Sequence, residues 1–152
     1  MVCLRYPRGN DCTSFDKTDL NVSYTLSSKR NSSVLLVTYG RIYDELYKAF
    51  ILLNSEGISC DILKLTKIFP LEKNMIISVR EYEKIIFFEE GIISGGIGEH
   101  FSKELLEYGF KGEYHVKGIS KFIKHRQLKA LWISLASTVD SMASYIREIM
   151  EE

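Results

Sequence analysis

Two arginines, Arg5 and Arg8, flank a Tyr-Pro pair in the stretch Arg5-Tyr6-Pro7-Arg8-Gly9. Each guanidinium presents a fixed fork of donors that matches a phosphate or a carboxylate. Pro7 stiffens the loop between them. Taken alone, such a stretch reads as a solvated tail more often than as a site. A second group is acidic: Glu89 and Glu90 stand side by side at the end of the apolar run that starts at Lys84. Adjacent residues on a strand point to opposite faces, so at most one of these carboxylates can aim into a crevice beyond the strand. General base, subunit contact and loop anchor all stay open, and the structural roles are favoured. A third group is the glycine set Gly91, Gly95, Gly96 and Gly98 in "EEGIISGGIGEHF". Backbone amides at a helix start can approach a phosphate there. The spacing is not GxGxxG, and no Lys-Ser/Thr pair follows to make a P-loop. The plainer reading, a tight strand-to-helix turn that needs positive φ and close packing, is preferred.

The histidines are His100, His115 and His125. None pairs with another at i, i+4 on one helix, and no acidic partner stands at metal spacing, which argues against a metal site. His115 falls in a strand. His125 lies in the basic loop "FIKHRQ" and is the one to consider for a ligand. No GxSxG elbow occurs, so Ser-His-Asp chemistry has no support. Cys3, Cys12 and Cys60 are odd in number and lack CxxC spacing. That favours reduced thiols and a cytoplasmic location over a disulfide framework.

Lys+Arg and Asp+Glu both number 20 in the 152 residues. Without a basic excess, neither nucleic acid nor an anionic membrane is an expected partner. The tyrosines are scattered and do not alternate with basic residues, so they form no base-stacking platform. No apolar run reaches the roughly 18 residues of a membrane helix, and the opening "MVCLRYPRGND" does not read as a secretory signal. The length suggests one domain.

The elements that must position these groups follow from periodicity. Leu20, Val22, Tyr24 and Leu26 alternate, as in a half-buried strand, and "SSKRNSS" reads as a turn, so an edge strand and a hairpin are expected at 10–33. "VLLVTY" (34–39) reads as a strand covered on both faces. Ile42, Leu46, Ala49, Phe50 and Leu53 mark one helix face, stopped by Gly57. Strands follow at 58–65, 84–90 and 113–119. A short helix is expected in "KNMIISVREY", another in "EHFSKELLEYGF", and a last one towards the end with Leu135, Val139, Met142 and Ile146 on one stripe. Strands alternating with helices imply a mainly parallel sheet covered on both sides. The fold class is α/β: a three-layer α/β/α sandwich with a five-stranded, mostly parallel sheet and one antiparallel edge strand.

Several blocks together resemble one family. "RYPRG" (5–9), the stretch 34–72 with its Pro70-Leu71-Glu72 turn, "IIFFEEGIISGGIGEHFSKEL" (85–105) and "VKGISKFIKHRQ" (116–127) are similar, in order, to the C-terminal third of thiamine-diphosphate enzymes of the transketolase type. RYPRG tilts the resemblance towards the 1-deoxy-D-xylulose-5-phosphate synthase branch. "FFEEGIISGGIGEHF" would also suit the β subunit of a 2-oxo acid dehydrogenase. Glu72 stands where the family has Asp, Gly91 where the synthase branch has Asn, and Arg126 where a His-Gly pair is the family pattern.

The resemblance implies boundaries: 1–9 as the end of a preceding pyrimidine-binding domain, 10–33 as a linker and edge hairpin, and 34–152 as the transketolase C-terminal-like domain. It implies that Arg8 holds the phosphate of a sugar-phosphate substrate. It implies thiamine diphosphate and Mg2+ in a longer parent, bound by an N-terminal and a pyrimidine-binding domain, and a homodimer. The parent would feed isoprenoid and thiamine synthesis. No catalytic, cofactor-binding or metal-ligating residue is expected in these 152 residues, which alone should be inactive. An alternative from another class is a stand-alone α/β interaction module without catalysis.

Overall fold

The computed structural model describes residues 22–28, 32–120 and 138–151. The strands are β1 (Tyr24–Ser27), β2 (Val34–Tyr39), β3 (Asp61–Leu65), β4 (Lys84–Ile92) and β5 (Glu113–Ile119). The helices are α1 (Tyr43–Ser55), entered through a 3-10 turn at Gly40–Ile42, α2 (Lys73–Val79), α3 (Ile97–Glu107) and α4 (Val139–Glu151). The strands form one sheet in the order β1-β3-β2-β4-β5. β2 pairs in parallel with β3 and β4, and β4 with β5, while β1 runs antiparallel along β3. The expected antiparallel edge strand is therefore present.

Alternation along the central strands divides the core in two. Leu35, Val37, Leu63, Ile85 and Phe87 face one side and pack with Met75, Ile76 and Val79 of α2 and Phe101 and Leu105 of α3. Val34, Leu36, Ile62, Ile86 and Phe88 face the other and meet Leu46, Ala49, Phe50 and Leu53 of α1 and Met142, Ala143, Ile146 and Ile149 of α4. Strands with both faces covered lose the polar alternation of a half-exposed sheet, which is why β2 reads as an unbroken apolar run. Burying a side chain such as Phe101 contributes about 1.5–3 kcal/mol relative to leaving it in water.

Polar ties fix the ends of the elements. Asp61, buried at the start of β3, accepts hydrogen bonds from the Tyr82 hydroxyl at 2.6 Å and the Ser28 hydroxyl at 2.8 Å. They join the far end of β1 and the approach to β4 to the start of β3. Thr38, fully buried in β2, donates its hydroxyl to the Phe88 carbonyl at 2.9 Å.

Two expectations need correcting. Of the edge strand and hairpin expected at 10–33, the strand is present as β1 beside β3, and most of the rest lies outside the described residues. Leu26 is not tucked in: it is 36% exposed, and Val22 40%. At a sheet edge the covering layer thins, and of the alternating residues described Tyr24 packs against the core. The strand expected at 58–65 is ordered as strand from Asp61. Leu20, the residues from Ser120 to Leu135 and the domain boundary at 9 lie wholly or largely outside the described residues.

Candidate functional site

Parallel strands deliver their last residues to one edge of the sheet, where open α/β sheets collect ligands. At this carboxyl edge the end of β2 supplies Tyr39, and β4 supplies Glu89 and Glu90. The turn into α3 supplies the glycines. Glu89 and Glu90 do turn to opposite faces, as strand geometry requires.

Glu89 is 3% exposed. One carboxylate oxygen, Oε1, accepts from the Tyr39 hydroxyl and from the Gly91 N–H at 3.2 Å. The other, Oε2, accepts from the Gly98 N–H at 2.9 Å, in the first turn of α3. Burial, the bond to Glu89 and its negative charge together push the Tyr39 phenol well above its ordinary range. Burial first, and then Glu89's charge, push Tyr114 up as well. Tyr114 donates its hydroxyl to the Gly98 carbonyl at 2.7 Å. On the opposite face, Glu90 Oε2 accepts the Arg41 N–H at 3.1 Å, at the entry to α1.

The glycine turn is shaped around these carboxylates. Gly95 has φ +73, and its N–H bonds Glu99 Oε2 at 2.8 Å. A Cβ on Gly96 would lie 2.6 Å from Glu89 Oε2 and 2.6 Å from the Ile92 carbonyl oxygen. A Cβ on Gly98 would press on Phe87 at 3.0 Å and Val116 at 3.2 Å. Two amides of the kind that a helix start offers to an anion, those of Gly98 and Gly95, are thus used by the chain's own Glu89 and Glu99. Chemically, the arrangement is a closed loop anchor with a half-buried phenol at its rim.

The other sequence candidates do not join it. His100 sits in α3 with its ring centroid 5.8 Å from that of Phe69 and its Nε2 3.9 Å from Glu104. His115 lies on the edge strand β5, with Nε2 3.6 Å from Glu113 Oε2. Cys60 is buried. Arg5, Arg8, His125, Cys3 and Cys12 lie outside the described residues. Sequence reasoning missed Tyr39 and Tyr114. The signal for Tyr39 was its place as the last residue of a buried run, directly before Gly40.

The fold is that of transketolases. A model of the transketolase C-terminal domain matches residues 23–141, and the chain belongs to that family. Similar curated proteins include the 1-deoxy-D-xylulose-5-phosphate synthase of Heliobacterium modesticaldum, 26% identical over 99% of this chain and 24% of that protein. They also include the pyruvate dehydrogenase E1 component subunit beta of Dictyostelium discoideum, 30% identical over 54% of this chain and 23% of that protein. Among solved structures, a split-gene transketolase described as an inactive beta4 tetramer superposes with a TM-score of 0.68 at 17% identity, covering 76% of this chain and 38% of the other. The chain spans about a quarter of the length of the curated relatives it matches.

The Gly98 amide in the first turn of α3 and the Gly95 amide just before it already serve carboxylates, so neither is left for a diphosphate. No group of three or more His, Cys, Asp or Glu side chains among the described residues could hold a metal ion. Nor, among them, is any helix long and apolar enough to cross a membrane.

Proposed function

We propose that this chain is the C-terminal domain of an enzyme of the 1-deoxy-D-xylulose-5-phosphate synthase type, which joins pyruvate to glyceraldehyde 3-phosphate with loss of carbon dioxide. The observation that carries the reading is the pairing of extents: 99% of this chain aligns with a synthase, yet with 24% of it. Thiamine diphosphate and Mg2+ then belong to the other three quarters, in the N-terminal and pyrimidine-binding domains. This domain supplies a rigid scaffold and contacts within a cytoplasmic homodimer, and Arg8 clamps the phosphate of the acceptor by charge-assisted hydrogen bonds. A carboxyl edge closed by its own carboxylates supports the division of labour, since it leaves the anion-binding task to a residue outside the sheet.

The test is Arg8→Ala in the assembled enzyme. A lost charge-assisted bond is worth about 1.5–3 kcal/mol, so the KM for glyceraldehyde 3-phosphate should rise roughly 10- to 100-fold. The KM for pyruvate should stay within about twofold. Equal rises for both substrates refute the assignment. Calorimetric uptake of thiamine diphosphate by this chain alone would refute the division of domains.

A second reading has its own support in the 30% identity to the pyruvate dehydrogenase β subunit. Acceptor preference separates the two: an aldehyde phosphate for the synthase, a lipoyl protein for the dehydrogenase.

A further inference from the structure

Glu89, Glu90 and Gly91 form the stretch where β4 leaves its ladders. Its registered pairing with β2 ends at Thr38 and Phe88. Its pairing with β5 breaks after Phe88 and Lys117 and resumes at Ile92 and Ile119. Irregular segments of this kind bend a strand and re-aim its side chains. Here the re-aimed side chains are the two carboxylates, and each fastens a different loop. Glu89 holds the β4–α3 turn through the Gly91 and Gly98 amides and reaches the end of β2 through the Tyr39 hydroxyl. Glu90 holds the β2–α1 turn through the Arg41 amide.

We propose that Glu89 and Glu90 act as a two-sided latch, which couples the β2–α1 turn to the β4–α3 turn so that both loops of the carboxyl edge open together. The physical reason is that one short segment, free of registered ladder pairs, carries both fastenings. Without the Glu89 carboxylate, the buried Gly98 amide lacks an acceptor, and the half-buried Gly91 amide and Tyr39 hydroxyl lose theirs. Leaving such groups unmet costs more than the bond contributed. The turn must then open to water and take the end of β4 with it. That motion draws Glu90 away from Arg41. Space is tight on this face as well, because a Cβ on Gly40 would collide with the Glu90 carboxylate.

Amide hydrogen exchange on the full chain tests the coupling, with Gly91, Gly98 and Arg41 as reporters and Leu36 and Ile86 as core references for global opening. In Glu89→Ala, exchange at Gly91 and Gly98 should accelerate about tenfold or more, as loss of a net hydrogen bond implies. Arg41, on the other face, should accelerate by a similar factor while the core references hold. Added formate should refill the vacated carboxylate position and return all three amides towards their original rates. Glu90→Ala should in turn speed Gly98. Acceleration of Gly98 with Arg41 unchanged would overturn the latch and leave two independent ties. If Glu89→Ala does not fold, Glu90→Ala decides the matter by the same pair of amides, since Glu90 is only half-buried.

Discussion

The Lys84 ammonium, at the first residue of β4, donates to the Ile149 carbonyl at 2.8 Å, in the last turn of α4. The same nitrogen lies 3.2 Å from Glu113 Oε2 on β5. A cation at the carboxyl end of a helix meets carbonyls that lack intrahelical partners and the negative end of the helix dipole. Lys84 therefore pins the last helix to the sheet, and its hydrogen bond and charge hold the Glu113 carboxyl below its ordinary range.

From this contact, Lys84→Ala should lower stability by about 1.5–3 kcal/mol, the scale of a hydrogen bond to a charged group. Glu113→Ala should cost less, because an exposed partner contributes little. Urea denaturation of both variants checks the order. An equal loss would mean that the ion pair, and not the helix end, is what Lys84 serves.

The glycine turn predicts a ranking. A methyl on Gly96 meets the Ile92 carbonyl oxygen, which cannot give way without moving the backbone, whereas a methyl on Gly95 meets nothing within 4 Å and has only the positive φ to overcome. Gly95→Ala should cost roughly 1–2 kcal/mol, the usual penalty of a left-handed alanine. Gly96→Ala should cost more and shift the α3 amide signals. Thermal melts with backbone spectra would reveal an inverted order.

Alkaline pH should unfold the domain earlier than its acidic groups would suggest. The phenols of Tyr39, Tyr82 and Tyr114 are all raised above the ordinary value of 10.0, chiefly by burial, with Glu89 and Asp61 adding to it. A raised native pKa means that the folded chain keeps protons the unfolded chain has released. Stability is then fully present below about pH 10 and falls above it. Denaturant midpoints between about pH 8 and 12 should show a plateau and then a decline. Tyrosinate absorbance should rise together with the loss of structure. Full titration of these phenols in the folded state would contradict the arrangement.

Much of this fold was legible because burial writes period and composition into the chain. The stripe Ile42, Leu46, Ala49, Phe50, Leu53 is buried throughout, and β2 is as apolar as a two-faced strand must be. The opposite orientation of Glu89 and Glu90 also follows from strand geometry alone. What was not legible depends on the third dimension. Tyr39 and Glu89 stand 50 residues apart, and nothing local announces that they touch. The partner of β1 was not legible either, since a crossover through α1 sets β3, far along the chain, between β1 and β2. The failed alternation at Leu26 has the same root, since the edge receives less cover than the period implies.

The place of β1 has a practical consequence. It is four residues long, and it shields the flank of β3, whose own residues are all buried. The Ser23 carbonyl continues the seam by accepting the amides of Thr66 at 3.0 Å and Lys67 at 2.9 Å. A version shortened to begin at Val34 would keep every core helix, yet it would leave one side of an apolar strand with unmet amides and carbonyls. Bare flanks of that kind recruit strands from other molecules, so trimming the polar lead-in would favour aggregation over a smaller soluble domain.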